Sequence, residues 1–160
     1  MRTLAGVENV KSFLRAVLAG VDPPRVIVFI DEIEKAFAGT GTDLSGVKTE
    51  MTGTILTYMQ DREADGCVFI GPPGGAKSAT AKATGGTAGM PTIAFDLTAM
   101  ESSLVGASTE RLRTALKIID AVSQGRMLFI ATCNSIASLP PELRSRFMHV
   151  LLRPAHGRRA

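Results

Sequence analysis

A chain of 160 residues with 45% hydrophobic and 21% charged side chains is long enough for one domain around a buried core and too apolar for a disordered tail. Its formal charge of +3 leans basic, but the basic residues are dispersed and gather only in the terminal HGRRA, and one tyrosine with no tryptophan offers few platforms for bases, so a nucleic-acid face is not expected. Cys67 and Cys133 stand in separate apolar runs without metal-ligand spacing, no run approaches a membrane span, and no leader pattern opens the chain; buried reduced thiols and a cytoplasmic location are expected.

Residues 7–19 place Val10, Leu14, Val17 and Leu18 on one helical face before Gly20 and Asp22-Pro23-Pro24 break the pattern. VIVFI, 26–30, is apolar at every position, which suits a parallel strand covered on both faces. DEIEKAFAG then begins a short helix leading into the turn-rich GTGTDLSG. A helix over 45–62 follows, with Val47, Met51, Ile55 and Met59 every four residues, weakened by Gly53.

Three more apolar strands are expected, CVFI at 67–70, TIAFDL at 92–97 and MLFIAT at 127–132, each successive pair separated by a helix. The first helix opens at GAKSATAKAT and ends at Gly85-Gly86. The second, 108–122, carries Leu112, Leu116 and Ile119 on one side, with Ser108 or Thr109 as its N-cap. Pro140-Pro141 starts a helix through ELRSRF, and HVLLR is a last short strand. This alternation predicts an α/β fold with a mainly parallel sheet.

Two stretches carry chemistry. FIGPPGGAKSATAK is a strand, a glycine-rich turn and a helix start, the context a phosphate loop requires. Backbone N–H groups of Gly71, Pro72, Pro73, Gly74, Gly75, Ala76 and Ala79, those that have one, can wrap an anion at the helix N-terminus, Lys77 can reach outer phosphates, and Ser78 can ligate magnesium. Such loops carry glycine just before the lysine, where this chain has Ala76. A β-carbon there obstructs if the position needs a positive φ and is harmless if it is helical. In VIVFIDE, Asp31 at the strand end can hold the magnesium water shell while Glu32 polarises an attacking water.

Taken together, GPPGGAKS, VIVFIDEIEKAF, FIATCNSIASLPPELRSRF and SLVGASTERLR resemble the core of AAA ATPases over nearly the whole chain. The resemblance implies a three-layer P-loop NTPase fold, ATP and Mg2+ as ligands, Mg2+-dependent ATP hydrolysis, a homo-oligomeric ring such as a hexamer, and remodelling of a protein partner. It makes Asn134 the polar sensor that positions the lytic water. It makes Arg144 and Arg146 arginine fingers acting on a neighbouring subunit, with Arg146, just before phenylalanine, the closer match. Ser103-Leu104-Val105-Gly106 falls where the family grips a protein substrate in its pore, with Leu104 in place of the usual aromatic; an ordinary apolar turn is the equal alternative.

In the family the phosphate-loop unit precedes the acidic-strand unit; here the two have exchanged places while the sensor strand stays last. Kept in their family positions, five strands in the family order 5-1-4-3-2 still allow both altered crossovers to run in their former directions, so this permuted fold is expected. A helical lid with a further arginine follows the last strand in the family, whereas this chain ends at Ala160 soon after HVLLR; a single core domain over 1–160 without a lid is expected. Ala76 and the missing lid leave two other functions open: a nucleotide-dependent binding module without turnover, and, more remotely, a DNA-associated loader.

Overall fold

Strand β2, Val26–Ile30, and strand β5, Met127–Cys133, have every residue buried. An unbroken apolar run leaves a strand no polar face, so both must lie inside a sheet covered on its two sides. In the computed structural model, which describes residues 3–5, 7–37, 46–74, 76–100 and 106–152, they are neighbours in register, Val28 beside Phe129.

The other strands are β1, Thr3–Ala5, β3, Asp65–Ile70, β4, Thr92–Ala94, and β6, Met148–Leu151. The sheet order is β1-β6-β3-β5-β2-β4 and every pairing is parallel. The five strands expected from sequence lie in the expected family order, 5-1-4-3-2, from β6 to β4. The addition is β1, which extends the edge beyond β6.

Helices cover both faces. On one, Val47, Met51, Ile55 and Met59 of α3, Val47–Asp61, and Leu112, Leu116 and Ile119 of α6, Ala107–Ser123, pack with Val28, Val68 and Phe129. The short α2, Ile33–Phe37, α5, Leu97–Met100, and α7, Pro141–Arg146, join them. On the other face, Phe13, Leu14 and Val17 of α1, Val7–Leu18, and Ala81 of α4, Lys77–Ala88, pack on Ile27, Phe69 and Ile130.

This division fixes the handedness relations. The connections β2 to β3, β4 to β5 and β5 to β6 all run towards β1 across the α3–α6 face, and β1 to β2 and β3 to β4 run the opposite way across the other face. Reversing both direction and face preserves hand, so all five crossovers share one, as parallel sheets almost always require. The acidic strand can therefore precede the glycine-rich strand in the chain without a topological penalty.

Three local expectations need correction, and one element is added. Helix α4 runs through Gly85-Gly86 to Ala88, because Gly85 is there for close packing: a β-carbon on it would collide with Thr92 Oγ1. The strand read as 92–97 ends at Ala94, since Asp96 Oδ1 accepts the Ala99 N–H at 2.9 Å and caps α5. The N-cap of α6 is Gly106, with Ser108 and Thr109 buried inside the first turn. A single 3-10 turn, Ile136–Ser138, separates β5 from α7.

Cys67 and Cys133 are both free and buried. Among the described residues no helix is long and apolar enough to cross a membrane. Leu104, Val105, Gly75, most of GTGTDLSG and the HGRRA tail lie outside the described residues.

Candidate functional site

The carboxyl ends of β2, β3 and β5 lie side by side, and the residues singled out in three separate stretches meet there. Ser78, in the first turn of α4, donates its hydroxyl to Asp31 Oδ1 at 2.6 Å. Lys77, 6% exposed, donates from Nζ to the Pro72 carbonyl at 2.8 Å and to Asn134 Oδ1 at 2.9 Å. Pro73, Gly74, Ala76, Ala79 and Glu32 complete a cleft of about 330 Å3 around Lys77, Ser78 and Asn134. That is the lower end of the usual size for small-molecule sites.

The loop geometry explains its composition. Gly71 follows β3 directly, its N–H donating to the Cys133 carbonyl at 3.2 Å, and a β-carbon on it would lie 2.5 Å from the Leu152 carbonyl oxygen. Ala76 adopts φ 57, ψ 18 as the N-cap of α4, the left-handed conformation in which a β-carbon is strained by roughly 1 kcal/mol. The position therefore needs a positive φ, the less favourable of the two alternatives for alanine.

Asp31 and Glu32 have different surroundings. Thr132, on β5 beside the end of β2, donates its hydroxyl to Asp31 Oδ1 at 2.6 Å and accepts the Glu32 N–H at 2.8 Å. Burial pushes the Asp31 carboxyl up, but the hydroxyls of Ser78 and Thr132, the charge of Lys82 and the Glu32 N–H outweigh it, and the carboxyl lies below its ordinary value. Asp31 is thus held ionised. Glu32 sits at φ 46, pinned there by Thr132, and its carboxylate pairs with Lys35 Nζ at 2.5 Å.

Ser78 on the cleft and Asp31 hydrogen-bonded behind it offer hard oxygen donors, the kind magnesium takes together with phosphate oxygens. No cluster of three His, Cys, Asp or Glu that could cage a metal exists among the described residues. A cation here would need a ligand's oxygens as well.

Arg144 and Arg146, both on α7, are not brought to this cleft. Arg146 donates from Nη2 to Gln60 Oε1 at 2.9 Å on the exposed surface. Arg144 Nε is buried without a hydrogen-bond partner among the described residues, while its carbonyl accepts from His149 Nε2 at 2.9 Å.

Two residues were missed from sequence. Thr132 was read only as the end of an apolar strand, though its register places it opposite Asp31: Ile30 pairs with Ala131, one residue before. Glu34, 8% exposed, accepts the Asn134 backbone N–H at 2.9 Å. Burial, and then the charge of Glu34, push the Cys133 thiol up to about 12, so it stays protonated and donates to the Ser135 carbonyl at 2.9 Å.

Residues 67–123 match the model of the ATPase family associated with various cellular activities (AAA). The match runs from β3 through the phosphate loop to the end of α6, and leaves the acidic strand β2 and Asn134 outside it. No curated protein matches the chain. Residues 67–123 are thus similar to the ATPase domain of that family, and the parallel sheet with a cleft at its carboxyl edge is consistent with a P-loop NTPase fold.

Proposed function

We propose that this domain binds ATP with Mg2+ and hydrolyses it, and that turnover is coupled to remodelling of a protein partner by a homo-oligomeric ring. The observation that carries this reading is the 2.6 Å contact of Ser78 with Asp31, which joins the glycine-rich loop to an acidic strand 47 residues earlier in the chain. Two oxygens of a kind that can bind magnesium meet beside a buried lysine, which supports a role in phosphoryl transfer.

Lys77 leaves Pro72 and Asn134 for the outer phosphates of ATP, trading two neutral acceptors for charged ones. The Asn134 amide, released from Lys77, orients the attacking water. Glu32 exchanges its ion pair with Lys35 for that water and takes its proton. The water oxygen bonds the γ-phosphorus as the bond to the β–γ bridging oxygen breaks, leaving ADP and inorganic phosphate. Ser78 and Asp31 would hold magnesium, which when bound would neutralise phosphate charge. Arg146 of one copy, with Arg144 beside it in sequence, completes the site of the next copy; Leu104 and Val105 contact the protein substrate.

The test is ATP hydrolysis with Mg2+ across a range of protein concentrations. The rate per subunit is expected to rise with concentration, and Lys77→Ala to lower it by at least about 100-fold. Glu32→Gln is expected to lose turnover to a similar extent while still binding nucleotide. A second reading, nucleotide-dependent binding without turnover, is favoured by the strained Ala76 and by the Glu32–Lys35 pair. Equal, negligible turnover in wild type and Glu32→Gln with nucleotide bound to both would select it.

A further inference from the structure

Glu34 is a buried acidic side chain, and its one hydrogen bond among the described residues is to the Asn134 backbone. It lies in the first turn of α2, among the buried Ile33 and Ala36. Oε1 accepts the backbone N–H of Asn134, while Oε2 is buried and has no partner among the described residues. Packing alone favours an apolar side chain at such a position, because an unmet carboxylate oxygen is destabilising and a hydrocarbon of the same size is not. What an apolar side chain would lack is the hold on Asn134.

That hold falls where β5 ends. Cys133 is the last strand residue, its carbonyl taken by the Gly71 N–H and its thiol by the Ser135 carbonyl. Asn134 is the first residue beyond the sheet, gripped at its backbone N–H by Glu34 and at its side-chain oxygen by Lys77. When a phosphate draws Lys77 away, the second grip is released and the first remains.

We propose that Glu34 is a positioning residue for the hydrolytic step: its carboxylate anchors the Asn134 peptide so that the Asn134 amide keeps its place over the cleft after Lys77 has turned to phosphate. The proposal rests on the hydrolytic reading of the cleft. Its effect belongs to kcat, because Glu34 is no part of the phosphate loop and Asn134 acts on the water. A misplacement of about 1 Å in a reacting arrangement can cost on the order of 100-fold.

The experiment uses the full chain with Glu34→Gln, Glu34→Asp and Glu34→Leu, each alone and with Asn134→Ala, measuring kcat and KM for Mg-ATP, thermal midpoint, and the side-chain amide resonances of Asn134. Glu34→Gln retains an acceptor oxygen and is expected to keep kcat within about threefold. Glu34→Leu is expected to lower kcat by roughly 30–100-fold with KM within about twofold, and Glu34→Asp, one methylene short of the N–H, by about tenfold. In the Asn134→Ala background these losses should shrink to less than about threefold, because the residue acted upon is gone. A normal kcat in both Asp and Leu variants, or a loss undiminished without Asn134, overturns the proposal.

Should Glu34→Leu not fold, Gln and Asp carry the same comparison. Should wild type bind nucleotide without turning it over, hydrolysis is what fails, and the amide resonances decide for Glu34 alone. Expected then are Asn134 amide signals that shift towards a solvated position in Glu34→Asp or Glu34→Leu and not in Glu34→Gln; signals unchanged in all three overturn it.

Discussion

The two rims of the sheet carry comparable strain and comparable charge, and only one of them gathers the residues of the glycine-rich and acidic motifs. At the amino-terminal rim, Glu63 and Gln124 have φ of 49 and 56, as Glu32 and Ala76 have 46 and 57 at the carboxyl rim. The amino-terminal cleft, near Asp22, Arg62, Gln124 and Arg126, is even the larger, about 560 Å3 against about 330 Å3. Two of its arginines, however, face carboxylates. Arg62 bonds Asp120 at 2.6 Å, Asp120 also accepts the Tyr58 hydroxyl at 2.9 Å, Arg126 faces Asp22 at 3.5 Å, and Arg25 donates to Gln124.

At the carboxyl rim the buried charges lack opposite partners among the described residues: Lys77 has two neutral acceptors, and Glu34 a single N–H. The strained residues differ in the same sense. Glu63 and Gln124 end helices, where a left-handed residue is ordinary, whereas Glu32 and Ala76 sit between strand and helix on the cleft itself.

Exchanging one cation on each rim for methionine breaks or confirms that contrast. Lys77→Met removes a buried charge without an ionic partner and is expected to raise the stability of the nucleotide-free protein by about 1 kcal/mol while abolishing any stabilisation by Mg-ATP. Arg62→Met leaves Asp120 with Tyr58 alone and is expected to lower stability by up to about 1 kcal/mol, with the response to Mg-ATP intact. Urea unfolding with and without Mg-ATP measures both. A Lys77→Met protein less stable than Arg62→Met would show that Lys77 is compensated after all.

A finer contrast uses the strained backbones. Ala76→Gly and Glu63→Gly each relieve a left-handed residue and are both expected to stabilise by about 1 kcal/mol, net of the greater freedom of glycine when unfolded. Ala76→Gly alone is expected to tighten nucleotide, since only Ala76 lines the cleft, and a titration with a fluorescent ATP analogue separates the two. Identical affinities in both variants would mean that the β-carbon of Ala76 does not obstruct the phosphates.

These rims were not equally legible in the sequence. Lys77, Ser78, Asp31, Glu32 and Asn134 each belong to a short local pattern; four of them line one cleft, and Asp31 joins it through its hydrogen bond with Ser78. Thr132 and Glu34 escape because their partners lie about 100 residues away, and only cross-strand register and the docking of α2 bring them together. The strands β2 and β5 announce themselves as unbroken apolar runs, while Thr3–Ala5 has no period of its own and becomes a strand only by pairing with β6. Gly85-Gly86 was misread because a glycine signals either a stop or a close approach, and Thr92, which decides between them, is supplied by the fold. Arg144 and Arg146 have their places on α7, but a role in a neighbouring copy has no signature within one chain.

The smallest expected effect concerns the Asp31 carboxyl, and its sign is fixed by the direction of its shift. Folding holds this group below its ordinary value of 3.8, so the folded state binds its proton less readily than the unfolded state. The stabilisation is therefore complete above that ordinary value, unchanged from pH 7 down to about 5, and lost as pH falls through the lower, folded value. Asp31→Asn cannot lose it. Unfolding curves of wild type and Asp31→Asn are expected to keep a constant gap at neutral pH and to approach each other below about pH 4. A gap that narrows instead between pH 7 and 5 would mean a carboxyl raised by burial, with the hydroxyls of Ser78 and Thr132 too weak to hold it ionised, and Asp31 would then be ill suited to the proposed magnesium role near neutral pH.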